Sequence, residues 1–209
     1  MDAKFWHGLW ENNHIPFHED DASALLVGNF PALSLAANSR VLVPLCGKTR
    51  DIAWLLSQGH RVVGVELSEL AIAQLFADLG VEPKIASYGK LIRYSALNIE
   101  IFVGDIFDLR RDLIGGVNAI YDRAGLFALP METRDRYAAH LIEITNAAPQ
   151  LLICFEYDQS VMRQPPYSVD GAEVSRIYSA HYDLTLLDTI VIEGGIRGKP
   201  AQDTVWLLR

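Results

Sequence analysis

Cysteine is scarce. Two of the 209 residues, Cys46 and Cys154, carry a thiol. That is too few for the disulfide framework of a small secreted domain, so a reducing cytoplasm is the expected compartment. Positive charge is also in short supply: 18 lysines and arginines face 26 aspartates and glutamates, for a formal net charge of −8. Such a balance works against nucleic acid or an anionic membrane surface as the main partner, because both call for a basic footprint. No apolar run approaches the roughly 18–20 residues of a membrane span. Met1-Asp2-Ala3-Lys4 does not open a basic and then apolar leader, so no signal peptide is expected. The Gly-x-Gly-x-x-Gly fingerprint of a dinucleotide site is missing, as are a Walker loop and a Gly-x-Ser-x-Gly elbow. There is no internal repeat, low-complexity tract or second-domain linker. His14 and His18 stand four apart, but Pro16 between them keeps them off one helical face, and no metal site is expected.

What remains is an ordinary globular composition, 50% hydrophobic and 21% charged, in a chain long enough to bury about 70% of its unfolded surface without a metal or disulfide. From Arg40 onward the pattern is apolar strand, turn, amphipathic helix, repeated. Arg40 to Leu45 predicts a first strand and Thr49 to Gln58 a helix, with Ile52, Leu55 and Leu56 on one face and Gly59 closing it. Arg61 to Glu66 is apolar almost throughout, as suits a strand covered on both faces. Ser68 is placed to cap a helix burying Ile72, Leu75, Phe76 and Leu79. After a polar stretch from Pro83 to Asn98, further strands are predicted at Ile99 to Val103, Val117 to Tyr121 and Leu151 to Phe155, with a helix after Pro130. Gln164-Pro165-Pro166-Tyr167 predicts a loop. Asp170 and Glu173 look like a capping box. Leu184 to Ile192 and Thr204 to Leu208 suit a terminal antiparallel pair. The alternation predicts a doubly wound α/β sheet in one domain. Residues 1–38 are an added N-terminal segment before a main domain at 39–209.

In open α/β sheets ligands sit beyond the carboxyl ends of the strands, so the residues following each strand carry the functional reading. Pro44-Leu45-Cys46-Gly47-Lys48-Thr49 is either an ordinary βα turn or one whose Gly47 lets backbone approach a ligand. Glu66, nineteen residues after Gly47, is placed to accept two hydrogen bonds from ribose hydroxyls; a helix-capping or surface role is the alternative. The ribose reading serves NAD and S-adenosylmethionine alike. Asp105-Ile106-Phe107 can bond and cover an adenine, or Asp105 can simply cap the next turn. Arg123, beside Asp122, can steady an anionic acceptor or form a structural ion pair. Phe5, Trp6, Leu9 and Trp10 form one face of a short helix. That stripe is either core or a lid whose aromatic rings attract a sulfonium cation. Cys46 has no histidine arranged to make it a nucleophile, and Cys154 lies in an apolar strand.

Taken together, these pieces resemble the bacterial thiopurine S-methyltransferase family over nearly the full length. The resemblance is carried by Trp6-x-x-x-Trp10 with Phe17-His18, Pro44-Leu45-Cys46-Gly47-Lys48, Gly64-Val65-Glu66-Leu67-Ser68-Glu69, Asp105-Ile106-Phe107-Asp108-Leu109 and Tyr121-Asp122-Arg123. It implies a class I methyltransferase fold, Rossmann-like, with a mostly parallel seven-stranded sheet, a terminal antiparallel strand and an N-terminal lid. S-Adenosylmethionine is the implied donor, contacted by Trp10, Leu45, Glu66 and Arg123, with Gly47, Ile106 and Trp6 as close neighbours. Phe17 and the Pro165-Pro166 loop fall where the family covers the acceptor, and Arg197 is a further candidate for substrate binding. Gly8 stands where some members carry an aspartate, so no acceptor base is carried over.

The implied reaction moves a methyl group to the sulfur of an aromatic or heterocyclic thiol, a small-molecule partner. The alternatives are a halide, thiocyanate, tellurium or selenium nucleophile, or a non-catalytic module that binds S-adenosylmethionine. The shortened, glycine-rich segment from Arg197 to Asp203 motivates the last of these. Nothing in the sequence calls for an oligomer, and a monomer is the expectation.

Overall fold

The computed structural model describes residues 3–15, 18–123 and 125–209. Its helices are α1 (Ala3–Glu11), α2 (Ala24–Asn29), α3 (Arg50–Ser57), α4 (Glu69–Asp78), α5 (Arg111–Ile114), α6 (Gly125–Ala128), α7 (Met131–Thr145) and α8 (Gly171–Tyr178). Its strands are β1 (Arg40–Pro44), β2 (Arg61–Glu66), β3 (Lys84–Tyr88), β4 (Leu91–Ala96), β5 (Ile99–Val103), β6 (Ala119–Asp122), β7 (Gln150–Tyr157), β8 (Leu184–Val191) and β9 (Ala201–Leu208). Two compact units are built from them. Of the described residues, one comprises those up to Val27 with Leu35–Asn118, the other Gly28–Ser34 with Ala119–Arg209. Among the described residues no helix is long and apolar enough to cross a membrane.

The first unit orders its strands β3-β4-β5-β2-β1. β1, β2 and β5 are parallel, with Pro44 opposite Val65 and Glu66 opposite Val103. This register brings the carboxyl ends of all three strands, and the turns that follow them, to one edge. Val41, Leu42, Val62, Val63, Val65 and Ile101 are buried in the strands, and Ile52, Leu55, Ile72, Leu75 and Phe76 are buried on α3 and α4. The caps behave as the side chains dictate. Thr49 accepts from the Asp51 amide to start α3, and Ser68 accepts from the Ala71 amide to start α4.

The second unit orders its strands β6-β7-β9-β8. β6 runs parallel to β7, whereas β9 is antiparallel to both β7 and β8. The terminal antiparallel pairing expected from the sequence is therefore present. α7 buries Tyr137, Ala138, Leu141 and Ile144 along one stripe and stops at Asn146, whose φ of 58° puts it in the left-handed region. Asp170 accepts from the Glu173 amide at 2.8 Å and starts α8, as the capping pattern predicts.

Two expectations need correction. The described strands number nine, not seven, and their pairing is mixed rather than mostly parallel. The polar stretch from Pro83 to Asn98 folds as the hairpin β3–β4, which continues into β5. Gly89-Lys90 and Leu97-Asn98 make its two tight turns, with positive φ at Gly89 and Asn98. β3 escapes apolar patterning because it is largely uncovered, with Ile85 58% exposed, and β4 buries Leu91 and Tyr94 three residues apart rather than in alternation. An alternating apolar face is needed only where one side of a strand is buried.

Gly64 in the middle of β2 is a close-approach glycine. A Cβ there would lie 2.7 Å from Ile101 Cδ1 and 3.2 Å from both Cys46 Sγ and the Val43 carbonyl. Gly64→Ala is expected to destabilise the protein by about 1–3 kcal/mol, the scale of overpacking a core. A urea unfolding midpoint equal to that of the parent would show that the strands give way freely.

Candidate active site

The site is built at the carboxyl ends of β1, β2 and β5. β2 is buried along Val62, Val63 and Val65, and its last residue, Glu66, is only 7% exposed. A carboxylate so placed must be hydrogen-bonded or it would not remain charged. The backbone supplies the partners. The Gly47 amide donates to Glu66 Oε2 at 2.8 Å, and the Ser68 amide donates to Oε1 at 2.9 Å. Each oxygen accepts one of these amides, and a carboxylate oxygen has capacity for a further hydrogen bond. A carboxylate held in this way suits a vicinal diol. Burial pushes the Glu66 pKa up from the ordinary glutamate range, while the Ser68, Gly47 and Leu67 amides and the charge of His7 pull it back.

The turn after β1 meets Glu66 because of its unusual backbone. Leu45 and Gly47 both have positive φ, 47° and 50°, and the Cys46 amide donates to the Val65 carbonyl at 3.1 Å. Gly47 is needed for more than its dihedral. A Cβ on it would lie 3.1 Å from Trp10 Cζ2. The indole of α1 therefore closes on this turn, and Trp10 is 4% exposed. Trp6, one turn earlier, is half-buried and meets Phe5 edge-on, with ring centroids 5.3 Å apart. The turn after β5 is tied to the same edge, since the Gly104 amide donates to the Glu66 carbonyl at 2.9 Å. Ile106 follows in a short 3-10 turn and is wholly buried. Asp105 caps that turn by accepting from the Phe107 amide at 3.0 Å. The simpler of the two readings of Asp105 is thus realised.

Cys46 stands inside this turn yet is no nucleophile. Burial first, and then the negative charge of Glu66, raise its thiol pKa far above the ordinary value. Cys154 is likewise pushed up by burial. Among the described residues no group of three or more His, Cys, Asp or Glu side chains is placed to hold a metal ion.

The remaining candidates lie in the second unit. Arg123 is half-buried directly after β6. Beside it, wholly buried Asp122 accepts from the Gly125 amide at 2.7 Å and from the Tyr137 hydroxyl at 2.9 Å. The Pro166 carbonyl accepts from the Tyr157 hydroxyl at 2.6 Å. Arg197 sits at φ 49° in the turn before β9 and donates to the Val161 carbonyl at 2.8 Å. Phe17 lies outside the described residues. The structure thus brings Trp10, Gly47 and Glu66 together, with Leu45 and Ile106 on adjoining turns. The amide partners of Glu66 and the Asp122–Tyr137 pair were not found from the sequence. A backbone N–H leaves no residue-type signal, and a tyrosine on an apolar helix stripe reads as core.

A cofactor with a ribose diol and a cationic centre fits this chemistry, since free carboxylate lone pairs suit the diol and an indole suits the cation. A model of the family described as Thiopurine S-methyltransferase (TPMT) matches residues 1–194. A thiopurine S-methyltransferase from Xanthobacter autotrophicus is 50% identical over 210 residues, covering 100% of this chain and 99% of the relative. Among solved structures, an Anabaena variabilis methyltransferase dependent on S-adenosylmethionine aligns with a TM-score of 0.65 at 18% identity, covering 100% of this chain and 96% of that one. A Burkholderia thailandensis 1,6-didemethyltoxoflavin N1-methyltransferase, solved with that compound and S-adenosylhomocysteine, aligns with a TM-score of 0.66 at 17% identity, covering 99% and 86%. These likenesses establish the Rossmann-like methyltransferase fold. With a match that spans nearly the whole sequence, this chain belongs to the thiopurine S-methyltransferase family.

Proposed function

We propose that this protein transfers the methyl group of S-adenosylmethionine to the sulfur of an aromatic or heterocyclic thiol of the thiopurine type. Membership of the family supports the reaction. The observation that carries the donor is the buried Glu66 carboxylate, pinned by the Gly47 and Ser68 amides beside Trp10. When bound, S-adenosylmethionine supplies a methyl carbon already activated by its sulfonium charge. The protein has then to bind, align and dry the partners rather than supply strong acid–base chemistry.

In this reading Glu66 accepts from the two ribose hydroxyls with the lone pairs that the backbone leaves open. Leu45 and Gly47 offer backbone close to the donor, Ile106 backs the adenine pocket, and Trp6 and Trp10 on α1 form an aromatic flap over the cation. Arg123 lends positive charge to donor or acceptor. A thiolate is the reactive form of an alkyl thiol with a pKa of about 8.5, and a neighbouring guanidinium favours it. Heteroaromatic thiols are more acidic and need less help, so no residue is assigned as general base. Phe17, Pro166 and Arg197 are the proposed acceptor cover. The N-terminal segment at 1–38 acts as the lid on a methyltransferase domain at 39–209, in a monomer that works in the cytoplasm.

Incubation with isotopically labelled donor and a thiopurine is expected to yield S-methylated product. Donor binding without transfer to any aromatic thiol would overturn the acceptor class.

Glu66→Ala is expected to weaken donor binding by about 1–3 kcal/mol, the scale of lost charge-assisted hydrogen bonds. Calorimetric titration with S-adenosylhomocysteine checks it, and unchanged affinity would remove Glu66 from the donor site.

The pH dependence follows from the raised pKa. Burial makes Glu66 hold its proton at a higher pH than a solvated glutamate does. Once protonated, one of its oxygens donates rather than accepts. Donor affinity is therefore expected to be full above the raised pKa and to fall as the pH drops through it. The loss should begin above the usual glutamate range. A parent affinity that stays flat from neutral pH down to the ordinary carboxylate range would contradict this.

A further inference from the structure

Arg134 on α7 is only 2% exposed, the largest fully buried side chain described in the molecule. Burying a guanidinium is costly unless every N–H direction is used, and here its fork is spread over two chain segments. Nε donates to the carbonyls of Leu126 at 3.0 Å and Leu129 at 3.1 Å, in and just after α6. Nη2 donates to the Ser168 carbonyl at 3.2 Å, and Nη1 pairs with Glu173 at 3.5 Å. Glu173 is itself held by Arg176 at 2.8 and 3.0 Å. One turn along the same helix face, Tyr137 fixes Asp122, the residue before Arg123. α7 therefore grips the chain on both sides of Arg123 and also the end of the 158–169 loop.

That loop is held by a run of directional hydrogen bonds. Behind it opens a cavity of about 780 Å³, lined among others by Arg134, Tyr157, Gln159, Tyr167, Ser168 and Glu173. Its shape depends on a short run of polar ties. The Ser168 amide donates to Gln159 Oε1 at 2.6 Å, and Gln159 Nε2 donates to the Met162 carbonyl at 2.6 Å and to the Tyr157 hydroxyl at 2.9 Å. Tyr157 in turn holds Pro166, and the Tyr167 amide reaches the Phe127 carbonyl at 2.6 Å. Ser168 joins this run to the buried guanidinium.

We infer that Arg134 is a positioning residue for the methyl acceptor: its planar fork sets the Pro165-Pro166 loop and the segment following Arg123 in one fixed frame. The inference rests on the proposed acceptor role of that loop. None of the bonded partners of Arg134 belongs to the Gly47–Glu66–Trp10 cradle. Lysine keeps the charge at this position but not the fork, and cannot serve three carbonyls in fixed directions.

The test uses the full chain carrying Arg134→Lys, with three readouts. The kcat/KM for a heteroaromatic thiol is expected to fall roughly 10- to 100-fold, mainly through acceptor KM, as misplacement of a distant support does. The dissociation constant for S-adenosylhomocysteine is expected to stay within about twofold, because the donor cradle is untouched. Backbone hydrogen exchange is expected to quicken across 159–168 and to stay unchanged at 66–68. If Arg134→Lys does not fold, Glu173→Gln loosens the same fork with the guanidinium in place and should show the same loop-specific exchange and KM rise. Exchange that quickens everywhere, equal losses of donor and acceptor affinity, or an unchanged acceptor KM would each overturn the inference by reducing Arg134 to general stability. A parent protein that binds donor but methylates no thiol would instead overturn the proposed function. The exchange pattern would then still decide whether Arg134 holds the loop.

Discussion

The donor half of the proposed site depends on one buried carboxylate. Glu66 ends an apolar strand in surroundings that disfavour its charge, and two backbone amides from different turns compensate. That compensation requires the chain after β1 to bend sharply back, so Leu45 and Gly47 take positive φ and Gly47 can carry no side chain under the Trp10 ring. It also requires β2 to lie in a definite register between β1 and β5. The parallel core is thus a device for delivering one acidic side chain, already oriented, to an edge where backbone donors converge. The carboxylate is preorganised because its bonds to the protein exist before any ligand arrives.

The second unit follows a different logic. Its polar side chains are committed to the backbone rather than presented to a ligand: Asp122 to the start of α6, Arg134 to three carbonyls, Gln159 and Tyr157 to the loop ahead of α8. In the proposed reading this loop must be shaped and still leave room for a small molecule, which directional bonds allow and dense packing would not. Directional hydrogen bonds hold such a loop while the cavity behind it stays open. The buried guanidinium is the most constrained of these ties, being planar, always charged and bonded through all three of its nitrogens.

Cys46 illustrates how environment decides chemistry. By residue type it is the strongest nucleophile near the proposed donor site. By position it is sealed under the turn, with Glu66 charge beside it, and its thiol is held far from ionisation. Burial silences the thiol, and the carboxylate that suits a ribose diol adds to the effect.

Several features were legible from the residues alone because they are local. Ser68 and Asp170 declare helix starts, the apolar strands from Arg40 and Arg61 declare a covered sheet, and the spacing from Gly47 to Glu66 marks a strand-end acid. The β3–β4 hairpin was not legible, since the uncovered β3 needs no apolar alternation and β4 buries Leu91 and Tyr94 three residues apart. The roles of Arg134 and Tyr137 were not legible either. Both sit on the buried stripe of α7, and what distinguishes them is which distant carbonyls and carboxylate they meet. By itself, then, the amino-acid order determined the type of the covered strands and capped helices, the strand-end position of the acid and the family to which the chain belongs, since these depend on neighbours a few residues apart. Only tertiary structure decided which backbone amides hold Glu66, that Trp10 closes on Gly47 and that a guanidinium ties the 158–169 loop to α6. Those contacts join residues far apart in the chain, and hydrogen bonds to backbone leave no mark on the sequence that supplies them.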